Sequence, residues 1–377
     1  MAGTLQAGQA DKMEQQTRED TPEALRGQSA YTPEEARDNI PPGTRVRVIV
    51  NPASGQKAGI TTNAAGIADV RRVLEENYIE AEVIESEHAG HATELAAEAV
   101  REKYDLVVAC GGDGTVSEVA AALIGKKKTA LGILPLGSAN NVARMMHVPF
   151  DLGEAAKVLR LGEKRDVDVG RCNGHYFLET AGVGLDAALF PILNRLDHGE
   201  YIRLFEAART LFRFRPHRLT LILDKKIVRV RALMVLVANG PYWGFSIPLA
   251  PDAKVDDHMF DVVVFRNFSK TDFIRHIIAM LLRRGQLENP QSPGKHWRLT
   301  HHPKVQTYLA KRVRIIARGR RLPVHSDAQP RGCTPVSIEI LPGVLRVITG
   351  PGEHATIPPS EGTPKGDPPK HRLGEDA

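Results

Sequence analysis

Apolar residues follow two different rhythms along this chain, and the change falls near residue 165. Before it, short apolar runs alternate with stretches of helical spacing. Arg45–Val50 is a β-rich run that ends in the turn sequence Asn-Pro-Ala-Ser-Gly. From about Asn63 to Asn77, Ile67, Val70, Val73 and Leu74 share one helical face. Ala81–Ile84 is expected to be a strand and Ala92–Lys103 an Ala-rich helix. Asp105–Cys110 is almost wholly apolar, as expected of a strand buried on both faces of a parallel sheet. A helix at Val116–Ile124 and a strand at Leu131–Leu134 follow. This alternation predicts a three-layer α/β domain.

After residue 165 the spacing is mostly that of strands. Leu219–Leu223 and Val228–Ala238 flank a tight turn at Asp224-Lys225-Lys226. Val262–Phe265, Val305–Leu309, Val313–Ala317, Val336–Leu341 and Val344–Ile348 are further strands. One helix interrupts them, Lys270–Arg284, with Phe273, Ile277, Met280 and Leu281 as its apolar stripe. The second half is therefore expected to be mainly antiparallel β. Four segments result: a tail at 1–42, an α/β domain at 43–165, a β-sandwich domain at 166–350 and a Pro-rich tail at 351–377. Both tails are too poor in large apolar groups to offset the entropy of ordering.

Composition narrows the function classes. The longest apolar run is seven residues, Ala232–Ala238, too short for a bilayer-spanning helix. No apolar run near the N-terminus suggests a secretory signal. Three widely spaced cysteines, Cys110, Cys172 and Cys333, suit reduced thiols in a cytoplasm. The net charge of +5 is unevenly spread: residues 267–321 hold 13 Lys and Arg against Asp272 and Glu288. Such a field attracts lipid headgroups, nucleic acid or phosphates, or merely keeps a surface solvated.

The chemistry concentrates in loops after strands. Gly111-Gly112-Asp113-Gly114-Thr115 stands where a buried strand meets a helix, the place where open α/β sheets bind ligands. Glycines let backbone approach a phosphate, the helix start offers N–H groups, and an Asp can reach a metal ion riding on the phosphates. The sequence is neither Walker A nor the dinucleotide fingerprint. Asn51–Gly55 and Leu136–Asn141 fall in equivalent positions. A plain tight turn explains any one of these loops; three together point to one nucleotide cleft.

Asn51-Pro-Ala-Ser-Gly55, Gly111–Thr115 and Gly137-Ser-Ala-Asn-Asn-Val-Ala-Arg144 resemble the nucleotide-side motifs of the diacylglycerol kinase catalytic-domain superfamily. The resemblance runs on through Gly182–Asp186, Pro251–Asp261 and Leu322–Asp327, covering residues 45–349 in order. It implies an N-terminal fold similar to that of NAD kinases, a C-terminal β-sandwich and an active site between them. It further implies ATP, Mg²⁺ and a lipid hydroxyl as acceptor.

By position, Asn51, Ser54, Ser86, Gly111, Gly112, Gly114, Thr115, Gly137, Ser138 and Asn140 match nucleotide-contacting places. Asp327 takes the place of the Asp in the family's Asp-Gly-Glu and is preferred as the base, with Asp113 the alternative. Asp186 matches a substrate-side acid, and Asp113, Asp257 and Asp261 match metal-side acids. Four positions depart from the pattern: Ala328 and Gln329 replace Gly and Glu, Asn141 replaces Asp, and His258 replaces Gly.

The implied partners are a lipid at the inner face of a membrane and anionic phospholipid headgroups, with no nucleic acid; a homodimer stays open. Lys270–Arg284 and Leu211-Phe-Arg-Phe-Arg215 are candidate membrane faces, although such stripes more often pack on a core. His88, His91, His296, His301, His302 and His325 show no metal-ligand spacing. A NAD-kinase-like kinase of a soluble metabolite, or a catalytically weak lipid- or nucleotide-binding protein, remain as other readings.

Overall fold

The computed structural model describes residues 38–57, 60–61, 66–196, 203–244, 247–267, 271–272 and 304–351. Four parallel strands begin the fold: β1 (Val46–Val50), β2 (Glu82–Glu85), β3 (Leu106–Gly111) and β4 (Ala130–Pro135). They lie in the order β2-β1-β3-β4. Helices α1 (Ile67–Glu76), α2 (His91–Arg101) and α3 (Asp113–Leu123) connect them, and α4 (Asn141–Met145) and α5 (Leu152–Leu161) follow β4. Every residue of β1, β3 and β4 is buried, as their apolar runs require of strands covered on both faces.

Arg47 is the exception of charge within β1. Its guanidinium pairs with Glu82 at 2.7 Å and Glu102 at 3.1 Å and stacks over Tyr104. Its charge is thus neutralised where it is buried.

The second half contains β5 (Glu163–Cys172), β6 (His175–Phe177), β7 (Thr180–Gly184), β8 (His217–Leu223), β9 (Lys226–Ala238) and β10 (Phe260–Arg266). It continues with β11 (Val305–Ala310), β12 (Arg312–Ala317), β13 (Pro323–Ser326), β14 (Gln329–Cys333) and β15 (Val336–Thr349). Antiparallel pairing dominates, with β9 bonded to β7, β8 and β10. The apolar run at the end of β9 serves two cores at once. Val235 and Val237 enter one with Phe177, Leu221 and Val262, while Met234, Leu236 and Ala238 enter the other with Phe265 and Trp243.

Two features depart from the pattern expected of the second half. Helices α6 (Leu185–Leu196) and α7 (Arg203–Arg213) intervene. Pro191 inside α6 masks its helical spacing, since proline ordinarily argues against a helix interior. The strands expected at 336–341 and 344–348 are one strand, β15, whose register shifts between Leu341 and Leu345 around Pro342-Gly343. This strand pairs with β5 and β12, and at Val347 runs parallel to β4 beside Leu131. The last strand thereby joins both halves into one sheet. Of the helix expected at Lys270–Arg284, only Thr271 and Asp272 are among the described residues, and His296, His301 and His302 lie outside them.

Candidate active site

Strand β3 delivers Gly112 to the start of α3, and β4 delivers Gly137 alongside it. A Cβ on Gly137 would stand 2.5 Å from the Gly112 Cα and 2.7 Å from Asn140 Oδ1. The two loops therefore touch backbone to backbone, an approach that only glycine permits. Asp113 clamps the same junction from the side. Its Oδ1 accepts from the Val142 amide at 2.8 Å, at the start of α4. The first loop is tied in by Asn51, whose Nδ2 donates to Thr115 Oγ1 at 3.0 Å.

These loops form one side of a cleft of about 840 Å³. Ser54, Gly112, Asp113, Gly114, Gly137 and Ser138 line it, as does Asp327 from the second half. Asn51, Ser86, Gly111, Thr115 and Asn140 stand behind this wall rather than on it. Ser86 is buried, with its amide donating to the Val50 carbonyl at 2.8 Å. Asn140 adopts a left-handed conformation (φ 50°) and closes the turn by donating to the Gly137 carbonyl at 2.7 Å.

Asp327 sits in the two-residue turn between β13 and β14. Both central residues have positive φ, 42° at Asp327 and 60° at Ala328, the geometry of a type I′ hairpin. That turn favours Asp-Gly, so Ala328 holds a conformation better suited to glycine. The Asp327 carboxylate accepts three backbone N–H groups: Leu178 at 2.7 Å, Glu179 at 3.0 Å and Thr180 at 3.1 Å.

A third carboxylate joins them that no motif indicated. Glu179 is buried in the cleft wall, and its Oε2 accepts from Asn141 Nδ2 at 2.8 Å. Burial, then the charges of Asp113 and Asp327, push Glu179 well above the ordinary carboxylate range. Burial also raises Asp113 and Asp327, against the backbone N–H groups that favour their ionised forms. Three such groups titrate as a set, and Glu179 lacks the backbone donors that favour the ionised forms of Asp113 and Asp327. In sequence Glu179 is a single glutamate between Leu178 and Thr180, with no spacing to mark it.

The remaining candidates lie elsewhere. Asp186 is buried beneath the wall, its Oδ2 2.9 Å from His325 Nε2, and Gly182 is the glycine that leaves room for this pair. Asp257 is exposed, with Oδ1 accepting from the Met259 amide. Asp261 lies on β10, where burial and then Asp257 and Asp252 raise it to about 6. Neither lines the cleft. His258, the residue at an expected glycine, has φ 63° and is held by Asp168, which accepts from its amide at 2.7 Å and contacts its ring at 2.8 Å. His88 and His91 stack on one another, and His91 Nδ1 accepts from the Glu87 amide.

The charge of the cleft bears on the ion a nucleotide brings. Asp113, Glu118, Glu179 and Asp327 line it, against Arg331 and the histidine His175. Among the described residues no three His, Cys, Asp or Glu side chains converge as a metal site.

Comparison with known proteins accords with this arrangement. Residues 45–172 match the diacylglycerol kinase catalytic domain, and residues 180–349 match the YegS C-terminal NAD kinase beta sandwich-like domain. A diacylglycerol kinase of Bacillus subtilis (strain 168) is 31% identical over 276 residues, covering 72% of this chain and 88% of the relative. One from Staphylococcus saprophyticus is 30% identical, covering 72% and 84%. The crystal structure of a diacylglycerol kinase from Bacillus anthracis str. Sterne superposes with a TM-score of 0.61 at 23% identity, covering 82% of this chain and 97% of that one. A second crystal structure from that organism gives a TM-score of 0.64 at 25% identity, covering 82% and 98%. With two glycine loops, Asp113, Glu179 and Asp327 lining one cleft, and relatives matched over most of their length, this chain is a kinase of the diacylglycerol kinase family.

Proposed function

We propose that this kinase transfers the γ-phosphoryl group of ATP to the hydroxyl of diacylglycerol or a closely related lipid, with Mg²⁺ as the accompanying ion. The observation that carries the reading is the placement of Asp327 in the same cleft as the Gly112–Gly137 junction, its carboxylate fixed by three amides. Residues 43–165 act in this reading as the ATP lobe and residues 166–350 as the lipid lobe.

Phosphoryl transfer needs positioning and charge neutralisation more than covalent help. The amides at Gly112–Thr115, at the start of α3, and the Gly137-Ser138 backbone hold the phosphates, with Ser54 at their flank. Asn51, Ser86, Gly111, Thr115 and Asn140 act one layer back by fixing those loops. Asp113 holds the divalent ion directly or through water; when bound, that ion neutralises charge on the phosphate oxygens.

Asp327 accepts the proton of the acceptor hydroxyl as its oxygen attacks the γ-phosphorus and ADP departs. The three amides favour the ionised form of Asp327 against its burial, while burial and the charges of Asp113 and Asp327 favour a proton on Glu179. Tyr176, Phe177, Phe190 and Trp243, which line the cleft, provide an apolar wall for the acceptor. Asp186 supports that wall through His325, whose ring lies 4.5 Å from that of Phe190. Asp257 and Asp261 serve the loop that Asp168 and His258 organise rather than the nucleotide ion. The enzyme works at the inner face of a membrane without crossing it; no helix among the described residues is long and apolar enough to span.

The test is ATP turnover by the full chain with mixed micelles of diacylglycerol, with sphingoid bases and phosphatidylglycerol as parallel acceptors, and with NAD in solution. The reading expects phosphatidate from diacylglycerol. Phosphorylation of NAD with no lipid product would overturn it.

A further inference from the structure

Asp113 and Asp327, on opposite sides of the cleft, are held in the same way. Asp113 faces the backbone amides of Asn140, Asn141 and Val142, with Val142 donating to its Oδ1 at 2.8 Å. Asp327 accepts from the amides of Leu178, Glu179 and Thr180 at 2.7, 3.0 and 3.1 Å. Each carboxylate thus has a cradle of three successive amides, one cradle from each lobe. The middle residues of the two cradles bond to one another: Asn141 Nδ2 donates to Glu179 Oε2 at 2.8 Å.

Asn141 reaches the second lobe with both hydrogens of one amide group. Besides Glu179 it donates to the Gly244 carbonyl at 2.7 Å, and Gly244 lines the cleft next to Trp243. Glu179 is fixed in turn through its main chain. Its carbonyl accepts from the amides of Asn239 at 2.9 Å and Gly240 at 3.3 Å, just past β9. Asn239 Nδ2 holds the preceding carbonyl, that of Leu178, at 2.9 Å. Asn141 is 2% exposed and Glu179 8%, so little water competes for the bond between them. A continuous path therefore leads from Asp113 through the start of α4 to Asn141, across to Glu179, and by the Glu179 N–H to Asp327.

We propose that Asn141 and Glu179 are positioning residues, whose mutual hydrogen bond fixes the carboxylate of Asp327 relative to the loop that carries Asp113. This role rests on Asp327 being the proton acceptor. Glu179 supplies an acceptor atom at a set place, which a glutamine oxygen also supplies. Asn141 supplies two donors, which an aspartate does not. The pair acts on the alignment of two bound substrates rather than on the binding of either. A misplacement near 1 Å slows such a transfer about 100-fold.

The experiment is single-turnover transfer from ATP to diacylglycerol in mixed micelles by the full chain, with ATP affinity measured on the same preparations. The variants are Asn141→Ala, Glu179→Ala, the two combined, and Glu179→Gln. Each alanine variant should slow transfer about 100-fold while ATP affinity is kept. The combined variant should be no slower than the worse single one, since both remove one link. Glu179→Gln should recover transfer to within about fivefold of wild type, the difference between a charged and a neutral acceptor. Wild-type transfer by either alanine variant, losses that multiply in the combined one, or a Glu179→Gln enzyme as slow as Glu179→Ala would each overturn the proposal. So would a loss of ATP affinity in step with the rate. Where Glu179→Ala does not fold, Asn141→Ala and Asn141→Asp carry the test: both should be slow, and wild-type transfer by either overturns it. Asp327→Asn, run alongside, separates two failures. Fast transfer by Asp327→Asn overturns the base assignment and the positioning role together, whereas slow transfer by it beside a fast Asn141→Ala overturns the positioning role alone.

Discussion

Replacing Gly137 by alanine tests whether the contact between the two loops builds the cleft. The new methyl carbon would stand 2.5 Å from the Gly112 Cα, about 1 Å inside ordinary carbon–carbon contact, and backbone cannot swing aside as a long side chain can. Overpacking of this kind costs about 2 kcal/mol, or about 4 °C in Tm for a unit of this size. Relief by parting the loops would displace the phosphate-facing amides by a comparable distance, and a misplacement near 1 Å lowers a transfer rate about 100-fold.

Gly114→Ala is the matched control. Nothing lies within 4 Å of a Cβ there, and the residue sits in the first turn of α3, where alanine is the better helix former. Its methyl would project into the cleft instead. Thermal melts and ATP saturation kinetics on the two variants should separate these effects. Gly137→Ala should lose both Tm and turnover, whereas Gly114→Ala should keep its Tm and raise the KM for ATP. An unchanged Tm for Gly137→Ala would refute the backbone contact. An unchanged KM in Gly114→Ala would refute phosphate binding at the start of α3.

Two other changes probe the carboxylate side. Ala328→Gly restores the residue that a positive φ favours and should raise stability by about 1 kcal/mol, read as a higher midpoint in denaturant titration. A lower midpoint would mean that the methyl packing at the core margin outweighs the backbone strain. Glu179→Gln bears on pH dependence. Between the ordinary glutamate value of 4.5 and the raised one in the fold, the folded state holds more protons than the unfolded state. Stability therefore falls as pH rises through that window, and Glu179→Gln should flatten this part of the Tm–pH curve. An identical slope in the variant would place the retained proton elsewhere.

Much of the first lobe could be read from spacing because its strands are buried on both faces. Leu106–Gly111 and Ala130–Pro135 announce themselves as short apolar runs followed by glycine, and the loops that matter lie at their ends. The run at Ala232–Ala238 was equally plain, since it supplies two cores at once. Long-range closure was not. Nothing local marks Val336–Thr349 as the strand that returns to Leu131, because one parallel contact leaves no periodicity. Leu211-Phe-Arg-Phe-Arg215 stood out as aromatic and basic, but helix α7, which carries its first three residues, was not among the expected elements.

Glu179 escaped for a related reason. Its importance comes from the fold bringing residues 113, 179 and 327 into one wall, whereas a single glutamate between strands carries no spacing signal. The departures from the family pattern became intelligible only with backbone angles. Ala328 and His258 both stand at positive φ, where glycine is the undemanding choice, and His258 is compensated by Asp168. Asn141, in place of an acid, donates to Glu179, so a carboxylate is present on the partner side of that hydrogen bond.

The most direct measurement is single-turnover transfer from ATP to diacylglycerol by Asp327→Asn, with nucleotide affinity followed in the same preparation. Removal of the proton acceptor should slow transfer by about 10²–10⁴-fold while ATP binding stays at the wild-type level. Wild-type transfer by a folded Asp327→Asn enzyme would contradict the assignment of the base and, with it, the account of how the two lobes share the reaction.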